Sequence, residues 1–115
     1  MFYEICIYQA KIEKQEILET LMKEVAEYYL QQKGVIDVKY IKRTHRQKDF
    51  NAMRTGLPPV RLQRQIDKVI YILYLVVENE QAHGDLAKLG YDKFYKRWPS
   101  CLIKMPTIYL GETIS

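Results

Sequence analysis

Lys68–Val77 reads KVIYILYLVV. Val69, Tyr71, Leu73, Leu75 and Val77 fall on one side of an extended chain, and Ile70, Ile72, Tyr74 and Val76 on the other. A strand alternates its side chains between two faces, so a run that is apolar on both must be covered on both, as an interior strand of a sheet. Helices in so short a chain can cover only one face. The second face therefore predicts a further apolar surface, and a second copy of the same chain would supply one.

Working outward from that strand, Glu78–Leu89 (ENEQAHGDLAKL) places acids and a capping Asn79 where a helix begins, with Gly90 as its expected stop. A short helix or turn is expected over Asp92–Trp98, ended by Pro99, and a closing strand over roughly Met105–Thr113 with Pro106 at its start. Upstream, Phe2–Ala10 reads as a strand with Tyr3, Ile5 and Ile7 on its more apolar face and Phe2, Glu4, Cys6 and Tyr8 on the other. In Lys14–Gln32, Ile17, Leu18, Leu21, Met22, Val25, Tyr28 and Tyr29 recur at helical spacing, and Lys33-Gly34 ends the helix. Val35–Arg43 alternates again, as a strand with one partly wet face.

Between the second and third of these strands lies a long interval, Thr44–Asp67, holding Asn51, Gly56 and Pro58-Pro59, which reads as a loop or flexible excursion. The order is βαββαβ: one α+β domain over residues 1–115, ferredoxin-like, with a four-stranded antiparallel sheet. At 115 residues, 48% apolar and 28% charged, the chain is long enough to bury a core and is not of disordered composition. No basic leader precedes an apolar run and no stretch reaches the length of a membrane span, so a cytoplasmic protein with no membrane partner is expected.

The net charge is +4, and it is unevenly spread. From Lys42 to Lys68 eight Lys or Arg face two acids, which leaves the remainder slightly acidic. An extended basic segment can follow a phosphate backbone, but Phe50 is its one aromatic and no nucleic-acid module is recognisable. Wrapping of a partner subunit through Phe50, Met53 and Leu57 is the competing reading. Cys6 and Cys101 lack metal-ligand spacing and read as buried thiols, and two histidines at unrelated positions offer no metal site. No phosphate-binding glycine loop or nucleophile motif is present, so no cofactor is implied.

Together, MFYEICIYQAK with its long amphipathic helix, VIDVKYIKR, VIYILYLVVENEQAH running straight into a helix, and the final PTIYLGETI resemble the dimeric α+β barrel superfamily. The opening is similar to the NIPSNAP group and the strand-to-helix joint to the antibiotic biosynthesis monooxygenase group. The resemblance implies a homodimer whose two sheets close a shared barrel, and a small aromatic or quinone-like ligand handled by a cofactor-independent monooxygenase. A non-enzymatic homo-oligomeric binding module is the alternative, since fold alone does not choose. Haem-degrading members carry an Asn, a Trp and a His where this chain has Cys6–Tyr8, Val77 and Trp98, which disfavours that chemistry.

The candidate catalytic residues are His83, as general base on a phenolic substrate, and Tyr74. Tyr8, Tyr40 and Trp98 are candidates to line a cavity between helices and sheet, and Arg43 and His45 to hold an anionic substrate. Each has a plainer alternative: a surface or capping position for His83, packing for the tyrosines, a core anchor for Trp98, and solvent for Arg43 and His45.

Overall fold

The computed structural model describes residues 1–64 and 67–115. Gln65 and Ile66, at the end of the interval read as an excursion, lie outside the described residues. The chain runs β1 (Phe2–Ala10), α1 (Gln15–Leu30), β2 (Val35–Lys42), β3 (His45–Arg46), α2 (Phe50–Arg54), β4 (Val60–Arg61), β5 (Val69–Val77), α3 (Glu80–Phe94) and β6 (Thr107–Glu112). Short 3-10 turns precede α1 and follow α3.

The main sheet has the order β2-β5-β1-β6, antiparallel throughout. It is the ferredoxin-like arrangement expected from βαββαβ, with the run that decided the fold as an interior strand. Cys6 pairs with Leu73 and Tyr8 with Tyr71, so Val69, Tyr71, Leu73, Leu75 and Val77 share a face with Glu4, Cys6 and Tyr8. That face is buried beneath Leu18, Leu21, Met22 and Val25 of α1 and Leu86 and Phe94 of α3. Each such side chain contributes about 1.5–3 kcal/mol on leaving water. The more apolar side of β1, with Tyr3, Ile5 and Ile7, is the one the helices leave open, together with the half-buried Ile70, Ile72 and Tyr74 of β5.

Three local expectations change. Gly90 does not stop α3, which continues to Phe94. A side chain at this buried position would overlap the hydroxyl of Tyr29, so the glycine serves the packing of α3 on α1. In β2 the alternation slips by one residue, because Val35 and Asp37 pair with the adjacent Val77 and Val76 and the exposed Ile36 is bulged out. The interval after β2 is ordered in part: β3 and β4 pair with each other as a two-stranded ribbon, and α2 lies between them.

Candidate functional site

The joint between β5 and α3 sets the first half of the site. Asn79 caps α3, its side-chain oxygen accepting from Ala82 N at 2.9 Å, and His83 follows one turn into the helix. Strand parity puts Glu4 of β1 on the face beneath it. His83 Nε2 and Glu4 Oε1 lie 2.5 Å apart, with both side chains only about one-sixth exposed at 16% and 14%. The Phe2 ring meets the imidazole edge to face at 5.5 Å. A carboxylate oxygen accepts, so in an Nε2–H···Oε1 bond the imidazole is the donor.

The second half is aromatic. Tyr8 stacks on Trp98 with centroids 5.1 Å apart and planes 12° from parallel, and Tyr40 tilts against both. Trp98 is held by its neighbours: the Arg97 guanidinium forks onto Glu24 of α1 at 2.6 and 3.0 Å, and Cys101 N donates to the Trp98 carbonyl. Lys11 N then donates to Cys101 O and Ile103 N to Gln9 O, which fastens the segment to the end of β1.

Between these halves, bounded by helices and sheet and open to solvent on one side, is a cavity of about 770 Å³. This is ample for a drug-sized ligand. His83, Glu4, Tyr8, Tyr40, Trp98 and Tyr29 all line it, over a floor of Cys6, Leu73 and Leu75. Burial raises the Tyr8 hydroxyl well above an ordinary phenol, with Tyr40 and Cys6 adding to the effect. Tyr40 is likewise raised by burial, Tyr29 is pushed up to about 12 and the Cys6 thiol up to about 11, in each case mainly by burial. All four therefore stay protonated at neutral pH, as hydrogen-bond donors and not as bases. Among the lining groups, proton acceptance falls to His83 and Glu4.

Of the residues singled out from sequence, the fold brings four together at this cavity: His83, Tyr8, Tyr40 and Trp98. Tyr74 is not among them. It points to the opposite sheet face, where it lies near Tyr3 and under the Lys39 ammonium, so it does not share the cavity with His83 as a catalytic partner would. The physical reason is parity, since Leu73 and Leu75 face the helices and the residue between them cannot. Arg43 and His45 are exposed where the chain leaves β2, with His45 Nδ1 beside Thr44 Oγ1 at 2.7 Å, and neither lines the cavity. Glu4 and Tyr29 were not expected there. A lone acid on the strand face shared by Cys6 and Tyr8 was the available signal for Glu4, whereas nothing local distinguishes Tyr29.

The whole chain superposes on "Putative antibiotic biosynthesis monooxygenase from Nitrosomonas europaea" with a TM-score of 0.72, covering 100% of both chains at 10% identity. The chain has the antibiotic biosynthesis monooxygenase-like fold. A protein of the same description from Bacillus cereus matches at TM-score 0.51 and 13% identity over 99% of this chain and 95% of that one. A conserved protein from Methanosarcina mazei Go1 matches at 0.65 and 16% over 96% and 89%. No family model and no curated protein matches the sequence. At these identities the monooxygenase-like likeness is one of fold, and the chemistry must be argued from the cavity.

Proposed function

We propose that the cavity binds a small aromatic or quinone-like compound and that the protein is a cofactor-independent monooxygenase, with His83 as the base. The observation that carries this reading is the His83–Glu4 pair set in the wall of a largely apolar, aromatic-lined cavity. Trp98 and Tyr8 offer flat faces to a ring, and the protonated Tyr8 and Tyr40 hydroxyls donate to a ring oxygen. His83 removes the proton of a phenolic hydroxyl, and Glu4 stabilises the imidazolium that forms. The electron-rich phenolate passes an electron to dioxygen, and the resulting pair combines to form a carbon–oxygen bond. Loss of water from the peroxide then leaves a quinone. One oxygen atom stays in the product and the other leaves as water, so phenol plus dioxygen balances quinone plus water without an added reductant.

Oxygen uptake with a panel of polycyclic phenols and hydroquinones tests the proposal. Uptake above the protein-free rate, with one atom of labelled dioxygen in the product, is the expected result. Ring binding with no uptake from any member would reduce the protein to a binding module.

The assembly belongs to the same proposal. Tyr3, Ile5, Ile7, Ile70, Ile72 and Tyr74 form an apolar sheet face that no helix among the described residues covers, and a second copy applied to it closes a homodimeric barrel. An Ile72→Asp substitution would place an unpaired carboxylate at the centre of that face, at a cost of several kcal/mol if it remained buried. Sedimentation velocity is expected to show a dimer for the parent chain and a monomer for the variant. A parent chain that is monomeric at all concentrations removes the dimer.

A further inference from the structure

The segment between β2 and β5 forms an arm. Its β3–β4 ribbon joins no strand of the main sheet. The chain's radius of gyration, 16.0 Å, exceeds the value of about 13 Å for a compact domain of this length. At the far end of the ribbon, α2 is only five residues long, which by itself is too short to persist. Both of its ends are fixed. Asp49 Oδ1 accepts from Ala52 N at 2.7 Å, while Gly56, at φ +74°, donates to Met53 O, and Leu57 N donates to Ala52 O at 3.0 Å. This is the paired closure that a left-handed glycine permits at a helix C-terminus.

What the two caps hold in place is an apolar display. Phe50, Met53 and Leu57 are 82%, 57% and 59% exposed. The arm carries Arg43, Arg46, Lys48, Arg54, Arg61, Arg64 and Lys68 against two acids, Asp67 and Asp49, and the carboxylate of Asp49 is engaged in the cap. Among the described residues every ion pair lies outside this arm.

Two apolar side chains on a helix of five residues and a third just past its end are too few for a stable protein contact, which needs about 800 Å² from each side. A nucleic acid would match the cations, but it offers nothing to Met53 and Leu57, and one aromatic is a poor stacking platform. An anionic lipid surface matches both parts: headgroup phosphates take the cations, the acyl boundary takes the apolar side chains, and two weak signals add to a stable attachment. We infer that the arm docks the protein on an anionic lipid surface, with Phe50, Met53 and Leu57 entering the interface and the flanking Arg and Lys on the headgroups. The expectation of no membrane partner rested on the lack of a spanning segment, and no helix among the described residues is long and apolar enough to span. A surface contact needs no such helix.

The test is co-sedimentation of the full chain with vesicles of phosphatidylcholine, alone or mixed with phosphatidylglycerol. Binding to the mixed vesicles is expected, stronger by at least about tenfold than to the neutral ones and weakened by salt. Arg46→Glu/Lys48→Glu and Phe50→Ser/Met53→Ser should each abolish it with an unchanged circular dichroism spectrum, because these side chains are exposed. Absence of binding by the parent chain, or full binding by either double variant, overturns the inference. Salt-sensitive binding to an oligonucleotide that survives Phe50→Ser/Met53→Ser, without vesicle binding, would make a phosphate backbone the partner. Loss of a dimer in that variant, again without vesicle binding, would make the second copy the occupant.

Discussion

His83→Ala is expected to lower the rate of oxygen uptake by about 10²- to 10⁴-fold, the usual contribution of a positioned general base. The size follows from the lack of a substitute. Tyr8, Tyr29, Tyr40 and Cys6 are all held in their protonated forms by burial, so none can take over the proton. Glu4 remains, but its place on β1 was set against the imidazole at 2.5 Å. His83→Gln separates orientation from proton transfer, because its amide N–H can still donate to Glu4 while offering no basic nitrogen. Both variants should lose kcat with little change in KM, since ring binding rests on Trp98, Tyr8 and Tyr40. Glu4→Gln keeps an acceptor for Nε2–H but loses the charge that stabilises the imidazolium, and a smaller loss of roughly tenfold is expected, in line with one charged hydrogen bond. Steady-state kinetics with a substrate from the phenol panel measures all three. An active His83→Gln enzyme would assign the base to Glu4.

The fold was legible where it depends on strand parity and helical period, as in Val69–Val77 and Leu18–Val25, because those patterns are properties of the chain alone. Parity also divides Tyr74 from Leu73 and Leu75. It does not say which side the helices take, and β1 shows why: its more apolar face, Tyr3, Ile5 and Ile7, is the uncovered one. Composition alone does not distinguish a sheet face that helices cover from one that they leave open. Tyr8 and Tyr40 stood out as tyrosines on strands, Trp98 as an aromatic beside Pro99, and His83 as a titratable group in the helix after the central strand. Glu4 and Tyr29 gain their place from partners 79 and 61 positions away in His83 and Gly90, and no local pattern encodes such contacts. The order within the arm was missed for another reason. Asp49 and Gly56 are cap residues for a helix too short to show a period, so the Pro58-Pro59 pair dominated the reading.

Gly90→Ala illustrates the same long-range contact and carries the second large effect. By intrinsic propensity alone, alanine in the interior of α3 would stabilise the helix by about 1 kcal/mol. The packing says otherwise: the new methyl would overlap the Tyr29 hydroxyl and come within 2.9 Å of Cζ and 3.0 Å of Cε1. Overpacking of this kind costs about 1–3 kcal/mol, so the variant is expected to be less stable despite its better helix former. Set against the propensity gain, the net loss is up to about 2 kcal/mol, which a thermal melt would read at roughly 4 °C of Tm per kcal/mol. Tyr29 lines the cavity, so displacing its ring alters the cavity wall. Ring-ligand affinity should therefore fall further than stability does. Tyr29→Ala in the same chain removes every atom that the methyl meets, and the double variant should recover helix stability while leaving a larger cavity. If Gly90→Ala instead raises the Tm and leaves ligand affinity unchanged, the close approach of α1 and α3 at this point is wrong, and with it the placement of Tyr29 in the wall of the site.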